Sequence, residues 1–433
     1  MDTTNKEGIR HMGQCTTTDK PMQLEVSDVL NEILRDGARR MLATAIDNEV
    51  GEYIAAHCDQ RDEKGRRLVV RNGHLPQRRL QTGLGSIEVR QSRVNDRRVD
   101  QDGQRLGFSS KILPPYLRRT RSLDELIPWL YLKGVSTGDF GEAFQALLGP
   151  QASGFSATNI VRLKSSWQAE WKDWCGRSLA GKRYVYVWAD GVYFNVRLED
   201  PGNQRQCILV LMGATAEGKK ELIAIADGYR ESEQSWKELL LDIKARGLAV
   251  DPALAIGDGA LGFWAAVRKV FVSVREQRCW VHKTANVLNK LAQGVQGKAK
   301  AMLHDIWMAE TKAGADKAFH LFIETFGAKY PAAVECLIKD RSVLLTFYDF
   351  PAEHWIHIRT TNPIESTFAT VRLRTHKTKG CGSRTASLTM VFKLTQSAER
   401  HWRRLNGTKQ LPEVIQGVKF IDGIKQDNEG IAA

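Results

Sequence analysis

The 433-residue chain predicts an α/β protein: a mixed five-stranded sheet flanked by helices, with further helical segments before and after it in sequence. Three observations carry this prediction. From residue 184 the periodicity turns β-branched and aromatic, in the runs "YVYVWADGVYFNVRL", "CILVLMGAT" (207–215) and "ELIAIADG" (221–228). An amphipathic helix over Ser235–Arg246, a strand "ALAIG", a short helix over Leu261–Lys269 and a strand "VFVSV" (270–274) then give the order β-β-β-α-β-α-β. Beyond Val281 the pattern is helical for about 70 residues, with Trp307, Phe319, Phe322 and Phe326 as core candidates.

Taken from the start, residues 1–22 are expected to be a disordered tail. Val29, Ile33, Met41, Ala45 and Ile46 recur at helical spacing between Glu25 and Ala56. In "RNGHLPQRRLQTGLGSIEVRQSRV" the turn signals Asn72-Gly73 and Gly83-Leu84-Gly85 divide alternating runs, which predicts a basic hairpin with Leu80 facing Ile87 and Val89. Its arginines, Arg71, Arg78, Arg79 and Arg90, would line one face. Three helices follow: one after a capping box of Ser122 and Glu125, one opened by Ser136 and running through Leu148, one opened by Ser156. The link "GPQASGF" is longer than a helix-turn-helix turn, so the third helix reads either as a DNA-reading helix with Asn159, Arg162 and Lys164 outward or as part of an ordinary bundle. A last basic amphipathic helix spans 386–403, and the tail from Asn406 is expected to be loosely ordered.

The 42% apolar and 26% charged fractions are those of a soluble globular protein. With no apolar run long enough to span a bilayer and no signal-like N-terminus, we expect a cytoplasmic protein without membrane contact. Seven scattered cysteines without a C-x-x-C pair fit a reduced compartment and no disulfide framework. The net charge of +13 is concentrated: residues 61–121 hold 16 Lys or Arg against 6 Asp or Glu, and residues 372–404 hold 9 against 1. Two basic regions in an otherwise slightly acidic chain are the footprint of polyanion binding, with nucleic acid the leading candidate.

The stretch "ALAIGDGALGFW" invites two readings. Gly257, Gly259 and Gly262 match the G-x-G-x-x-G of a dinucleotide fold, and Glu276 follows where a ribose-binding acid belongs. That reading predicts an oxidoreductase, but the glycines follow the fourth strand instead of the first, and a carboxylate at Asp258 would repel a pyrophosphate. The other reading makes the glycines a turn that presents Asp258. Asp190 similarly ends an apolar run before Gly191, as a turn-forming Asp-Gly or as a carboxylate in a cleft. Glu365, in "TTNPIES", follows Asn362 as N-cap and Pro363 at the first helical position, where a capping acid belongs. Its helix also carries Arg372 and His376 on the same face, as suits a metal ligand beside bound phosphates. Three such acids suggest hard-cation chemistry, with two Mg²⁺ or Mn²⁺ ions clamping an in-line displacement at phosphorus.

"ADG" (189–191), "GDGALGFW" (257–264), "RCWVHKTANVLNKL" (278–291) and "HWIHIRTTNPIESTFATVRLRTHKTKG" (354–380) together resemble the bacterial insertion-sequence transposases of the Mutator type, over about residues 25–405. The resemblance implies a ribonuclease-H-like catalytic core with an Asp-Asp-Glu triad, which by motif position falls on Asp190, Asp258 and Glu365 as catalytic residues and ligands of two Mg²⁺ (or Mn²⁺). It also implies an all-helical insertion between the second Asp and the Glu, and a Cys-x-x-His element, here Cys279 and His282. Two ligands of that kind fall short of the four that structural zinc takes, so packing or DNA positioning is the expected role.

The expected organisation is a tail at 1–22; a helical segment and basic hairpin region at 23–121 and a helix-turn-helix-like segment at 122–178, both DNA-binding; a core in two parts, 179–282 and 351–405, around an insertion at 283–350; and a tail at 406–433. The partners implied are double-stranded DNA, as terminal inverted repeats and target, and a second copy of the chain. Arg372, Arg374, His376, Lys377 and Lys379 would contact DNA. A nuclease without joining activity, or a DNA-binding protein with idle acids, shares most of these features.

Overall fold

The computed structural model describes residues 23–135, 139–148, 157–196, 205–228, 230–377 and 381–426. The chain divides into two units, residues 1–128 with 138–156, and residues 129–137 with 157–433. The expected tail at 1–22, the helix openers Ser136 and Ser156 and the link 149–156 lie outside the described residues.

In the first unit, helix α1 (Gln23–Ala55) buries Ile46 and Val50, one turn apart, while Val29, Ile33 and Met41 stay exposed. Ile46 shares a small core with Leu80, Ile87, Val89 and Leu113. Strand β1 (Val69–His74) pairs antiparallel with β4 (Ser92–Asp96), and β2 (Arg78–Thr82) with β3 (Gly85–Val89). The predicted hairpin is β2–β3, with Leu80 directly opposite Ile87. Asn72-Gly73 does not end a strand as expected. It lies inside β1, where Gly73 takes φ +67° and the register shifts between Arg71 and His74, so the turn signal becomes a bulge.

Helix α2 (Arg121–Lys133) begins in this unit and α3 (Phe140–Leu148) belongs to it. The capping box is not formed. The Thr120 carbonyl accepts from Leu123 and Asp124, and Glu125 is held by Arg121 at 3.0 Å, so the helix starts one residue earlier and takes Ser122 inside.

The second unit is built on the predicted sheet. Its strands are β5 (Tyr184–Asn195), β6 (Arg205–Thr215), β7 (Lys220–Gly228), β8 (Leu254–Gly257) and β9 (Arg275–Arg278), in the order β7-β6-β5-β8-β9. β5, β6 and β7 are antiparallel neighbours; β8 and β9 run parallel to β5, which makes the sheet mixed. Helices α5 (Glu233–Ala245) and α6 (Leu261–Val270) cover one face through Trp236, Leu240, Phe263 and Val267.

The fifth strand is not at 270–274. Val270 ends α6, Val272 is 85% exposed, and the strand is the polar "REQR" that follows. Each of its polar side chains has a partner: Arg275 pairs with Asp349, Glu276 with Arg268, Arg278 with Asp340, and the Gln277 amide with Leu344 O and Phe347 N, although Arg278 Nε itself is buried unbonded. Hydrogen bonding thus replaces apolar burial at this edge.

After α4 (Ala157–Cys175), which precedes the sheet, the remaining helices are α7 (Trp280–Leu288), α8 (Gln293–Met308), α9 (Lys312–Phe326), α10 (Pro331–Ile338), α11 (Arg341–Leu344), α12 (Trp355–Ile358), α13 (Asn362–Lys377), α14 (Arg384–Glu399) and α15 (Leu411–Ile415). α13 packs on β5 and α14 on β7 and α4, so the second face of the sheet is buried under Phe368, Val371 and Val391, continuous with Phe319 and Phe322 of α9. Residues 406–426 are packed, unlike the loose tail expected: Leu411 and Phe420 are buried in this core, and β10 (Phe420–Ile421) pairs with β11 (Ile424–Lys425). No helix among the described residues is long and apolar enough to cross a membrane.

Candidate active site

The sheet register places two of the three acids. Trp188 of β5 pairs in parallel with Ile256 of β8; two residues further on stand Asp190 and Asp258. Adjacent strands lie about 4.8 Å apart, so the same step on both brings the carboxylates side by side. β5 does not break at Asp190-Gly191. It runs on to Asn195 against β6, and it is β8 that ends, freeing the flank of Asp190 for the Asp258 turn.

Asp190 is 6% exposed; its Oδ1 accepts from the Gly191 amide at 2.8 Å, and its Oδ2 is buried without a hydrogen-bond partner. Asp258 Oδ1 accepts from Ala260 N at 2.8 Å, and its carbonyl accepts from the Trp264 indole at 2.9 Å, which fixes the turn.

Glu365 comes from the first turn of α13. The cap lies one residue earlier than the sequence suggests: the Thr361 carbonyl accepts from Ile364 and Glu365, and Asn362 is already helical. The Thr361 hydroxyl donates to Glu365 Oε1 and lies 3.4 Å from His282 Nδ1 and 3.2 Å from Cys279 Sγ, while Thr361 N donates to the same sulfur at 3.3 Å. His282 Nδ1 stands 3.6 Å from Glu365 Oε1. The Cys-x-x-His element therefore meets the third acid. Cys279, His282 and Glu365 present atoms within 4.8 Å of one another that could hold a metal ion.

The electrostatics tie the three acids together. Burial, then the Asp258 carboxylate, with Glu365 and Glu231 adding, pushes the Asp190 pKa up to about 7, while His282 opposes. The Cys279 side chain favours the His282 imidazolium against burial, and with Glu365 and Asp190 raises it to about 9. Sequence reasoning missed one member: Glu231, whose pKa burial and Asp258 raise to about 7. It lies in the polar run "RESEQS" ahead of the Ser232 cap of α5, where nothing in the pattern marks it.

The basic residues are scattered in their settings. In the first unit Arg71 pairs with Asp47 at 3.0 Å and Arg79 with Glu88 at 3.2 Å, Arg78 donates to the Pro114 and Leu117 carbonyls, and Arg90 is exposed. In the second, Arg162, Arg372 and His376 are exposed and Lys164 is half-buried. Arg374 does not face outward with them: it is 5% exposed, its guanidinium 4.8 Å over the Tyr131 ring. The side chains of Asn159 and Lys377, and all of Lys379, lie outside the described residues.

A family model described as "Transposase, Mutator family" matches residues 11–405. The chain is 52% identical over 290 residues to the transposase for insertion sequence element IST2 of Acidithiobacillus ferrooxidans, covering 65% of this chain and 95% of that protein. It is 50% identical over 301 residues to the transposase for insertion sequence element IS6120 of Mycolicibacterium smegmatis, covering 70% and 92%. Against the transposase for insertion sequence element ISRM5 of Rhizobium meliloti (strain 1021), identity is 27% over 398 residues, covering 90% and 94%.

Proposed function

The chain belongs to the Mutator family of transposases, and from that premise we propose that it binds the terminal inverted repeats of an insertion sequence and cuts and joins DNA at an Asp190–Asp258–Glu365 centre in a ribonuclease-H-like core. The observation that carries this reading is the convergence of two aspartates from adjacent parallel strands with a glutamate from the start of α13.

A pair of Mg²⁺ or Mn²⁺ ions fits the donor set: carboxylate oxygens suit hard cations, and the unpartnered Asp190 Oδ2 is a buried oxygen in need of one. When bound, two such ions supply Lewis-acid stabilisation of the attacking and leaving oxygens. The protein's own share is positional. The sheet fixes Asp190 and Asp258, Thr361 and His282 orient Glu365, and the exposed arginines hold the DNA backbone. A water oxygen attacks the phosphodiester at the element's end as its P–O3′ bond breaks, which frees a 3′ hydroxyl. That hydroxyl attacks a target phosphodiester and displaces the target strand's 3′ oxygen. Each attacking oxygen loses a proton to solvent and each leaving oxygen takes one up. No covalent bond to protein forms. Holding two ends at once calls for at least a dimer.

The test is to incubate the protein with its flanking element-end DNA, a target and Mg²⁺, and to map nicks and joined products. Asp190→Asn and Glu365→Gln should abolish both; cleavage that survives them would overturn the mechanism. Cleavage without any joined product would leave a nuclease.

A further inference from the structure

Glu231 is held between the two aspartate-bearing segments by close approach on both sides. Its Cδ and Cγ lie 2.6 and 2.7 Å from where a Cβ on Gly191 would stand, so its carboxyl group rests against the backbone next to Asp190. On the other side, a Cβ on Gly262 would meet the backbone of the same segment: the Glu231 carbonyl oxygen, Ser232 C at 2.6 Å and Glu233 N at 2.6 Å. Gly191, directly after Asp190, thus makes room for the Glu231 side chain, and Gly262, four residues after Asp258, for the backbone of its segment. The Tyr193 hydroxyl, also on β5, accepts from the Glu231 amide at 3.3 Å and fixes the approach.

No lysine or arginine among the described residues pairs with the Glu231 carboxylate, although it is half-buried. Beside it the buried Asp190 Oδ2 has no hydrogen-bond partner. The Tyr193 hydroxyl also hydrogen-bonds the Glu231 carboxylate, and the His282 imidazolium acts on Glu231 and Asp190 only at a distance, its ion pair being with Glu365. A half-buried carboxylate against a second carboxylate oxygen that is wholly buried and unpaired still calls for a cation bound to both. We infer that Glu231 is a fourth carboxylate ligand of the divalent-cation cluster, on the Asp190–Asp258 side, opposite Glu365. This rests on the metal-dependent reading given above. A purely structural role is served by the backbone of Glu231, which packs on Gly262, and needs no charge on the side chain.

The test is a Mn²⁺ titration of the full chain, reading free Mn²⁺ by electron paramagnetic resonance, for the wild type, Asp258→Asn and Glu231→Gln. Glu231→Gln keeps shape and backbone contacts and removes the charge; an unchanged melting temperature without cation shows that it folds. The expected result is a loss of Mn²⁺ affinity of about tenfold or more in Glu231→Gln, with a larger loss in Asp258→Asn. If Asp258→Asn loses Mn²⁺ while Glu231→Gln binds it within twofold of wild type, Glu231 is not a ligand and the triad stands alone. If neither variant changes the titration, the metal-dependent reading fails and this inference with it.

Discussion

Arg278 Cζ lies 2.7 Å from the position that a Cβ on Gly259 would occupy, and the same guanidinium is ion-paired with Asp340. The residue after Asp258 is therefore a glycine because a pinned arginine fills its side-chain space. Gly259→Ala should destabilise the protein by about 1–3 kcal/mol, because the guanidinium cannot retreat without leaving Asp340. Gly262→Ala meets backbone and should cost more. Gly297→Ala, in α8 with open space around it, should gain about 0.5–1 kcal/mol. Chemical denaturation of the three variants checks the order, and equal effects would count against the close approaches.

Asp340 holds two buried cations, Arg278 and Lys283, and Lys283 also donates to the Cys336 carbonyl at 2.7 Å. Asp340→Ala strands both charges, with an expected cost of about 3–5 kcal/mol. A stability within 1 kcal/mol of wild type, measured by urea denaturation, would show that water reaches them.

The raised pKa values of Asp190 and Glu231, both about 7, give a pH dependence with a definite sign. Their ordinary values are near 4, so the folded state holds these protons more tightly than the unfolded chain does. The stability they contribute is present below about pH 4 and is lost as pH rises through about 7. His282, raised to about 9, adds the same sign over a higher window. A divalent cation competes with protons for the same oxygens. Mg²⁺ should therefore raise the melting temperature more at about pH 8 than at about pH 5, and an equal rise at both would argue that it binds elsewhere.

Arg372 and Arg374 differ by two residues and should differ in kind. Arg372 is exposed, so Arg372→Ala should weaken DNA binding, lower the slope of log affinity against log salt by about 1 and leave stability unchanged. Arg374 lies over Tyr131, so Arg374→Ala should lower the melting temperature and leave the salt slope alone. Binding isotherms at three salt concentrations, with a thermal melt of each variant, separate the two.

That Asp190, Asp258 and Glu365 come together was legible from the motifs that carry the family resemblance; locally each also fits a turn or a helix cap. Strands β5 to β8 and helices α5 and α6 were legible from their apolar periods. Glu231 was hidden because its importance lies in what approaches it from Gly191 and Gly262, and neither distance is written in a local pattern. "REQR" was hidden because hydrogen bonds to Leu344 O and Asp340 and from Phe347 N, more than 60 residues away, substitute for hydrophobic burial. The apolar "VFVSV" drew the assignment in its place. Arg374 shared its basic neighbours' composition but not their surroundings.

The Trp280 amide donates to the Arg359 carbonyl at 3.0 Å, and the Cys279 amide to Gly257 O at 2.8 Å. The chain thus leaves β9 and comes back toward α13 at neighbouring points, and the stretch between is tied to the sheet again through Asp340, Leu344, Phe347 and Asp349. The entropy of closing such an excursion grows only with the logarithm of its length. Its exposed turns could be lengthened at small energetic expense while the spacing of Asp258 and Glu365 stays fixed, whereas its buried helices, Phe319 and Phe322 among their residues, belong to the core. That makes this stretch the natural place for related chains to vary in size, and for a reporter domain to be spliced in.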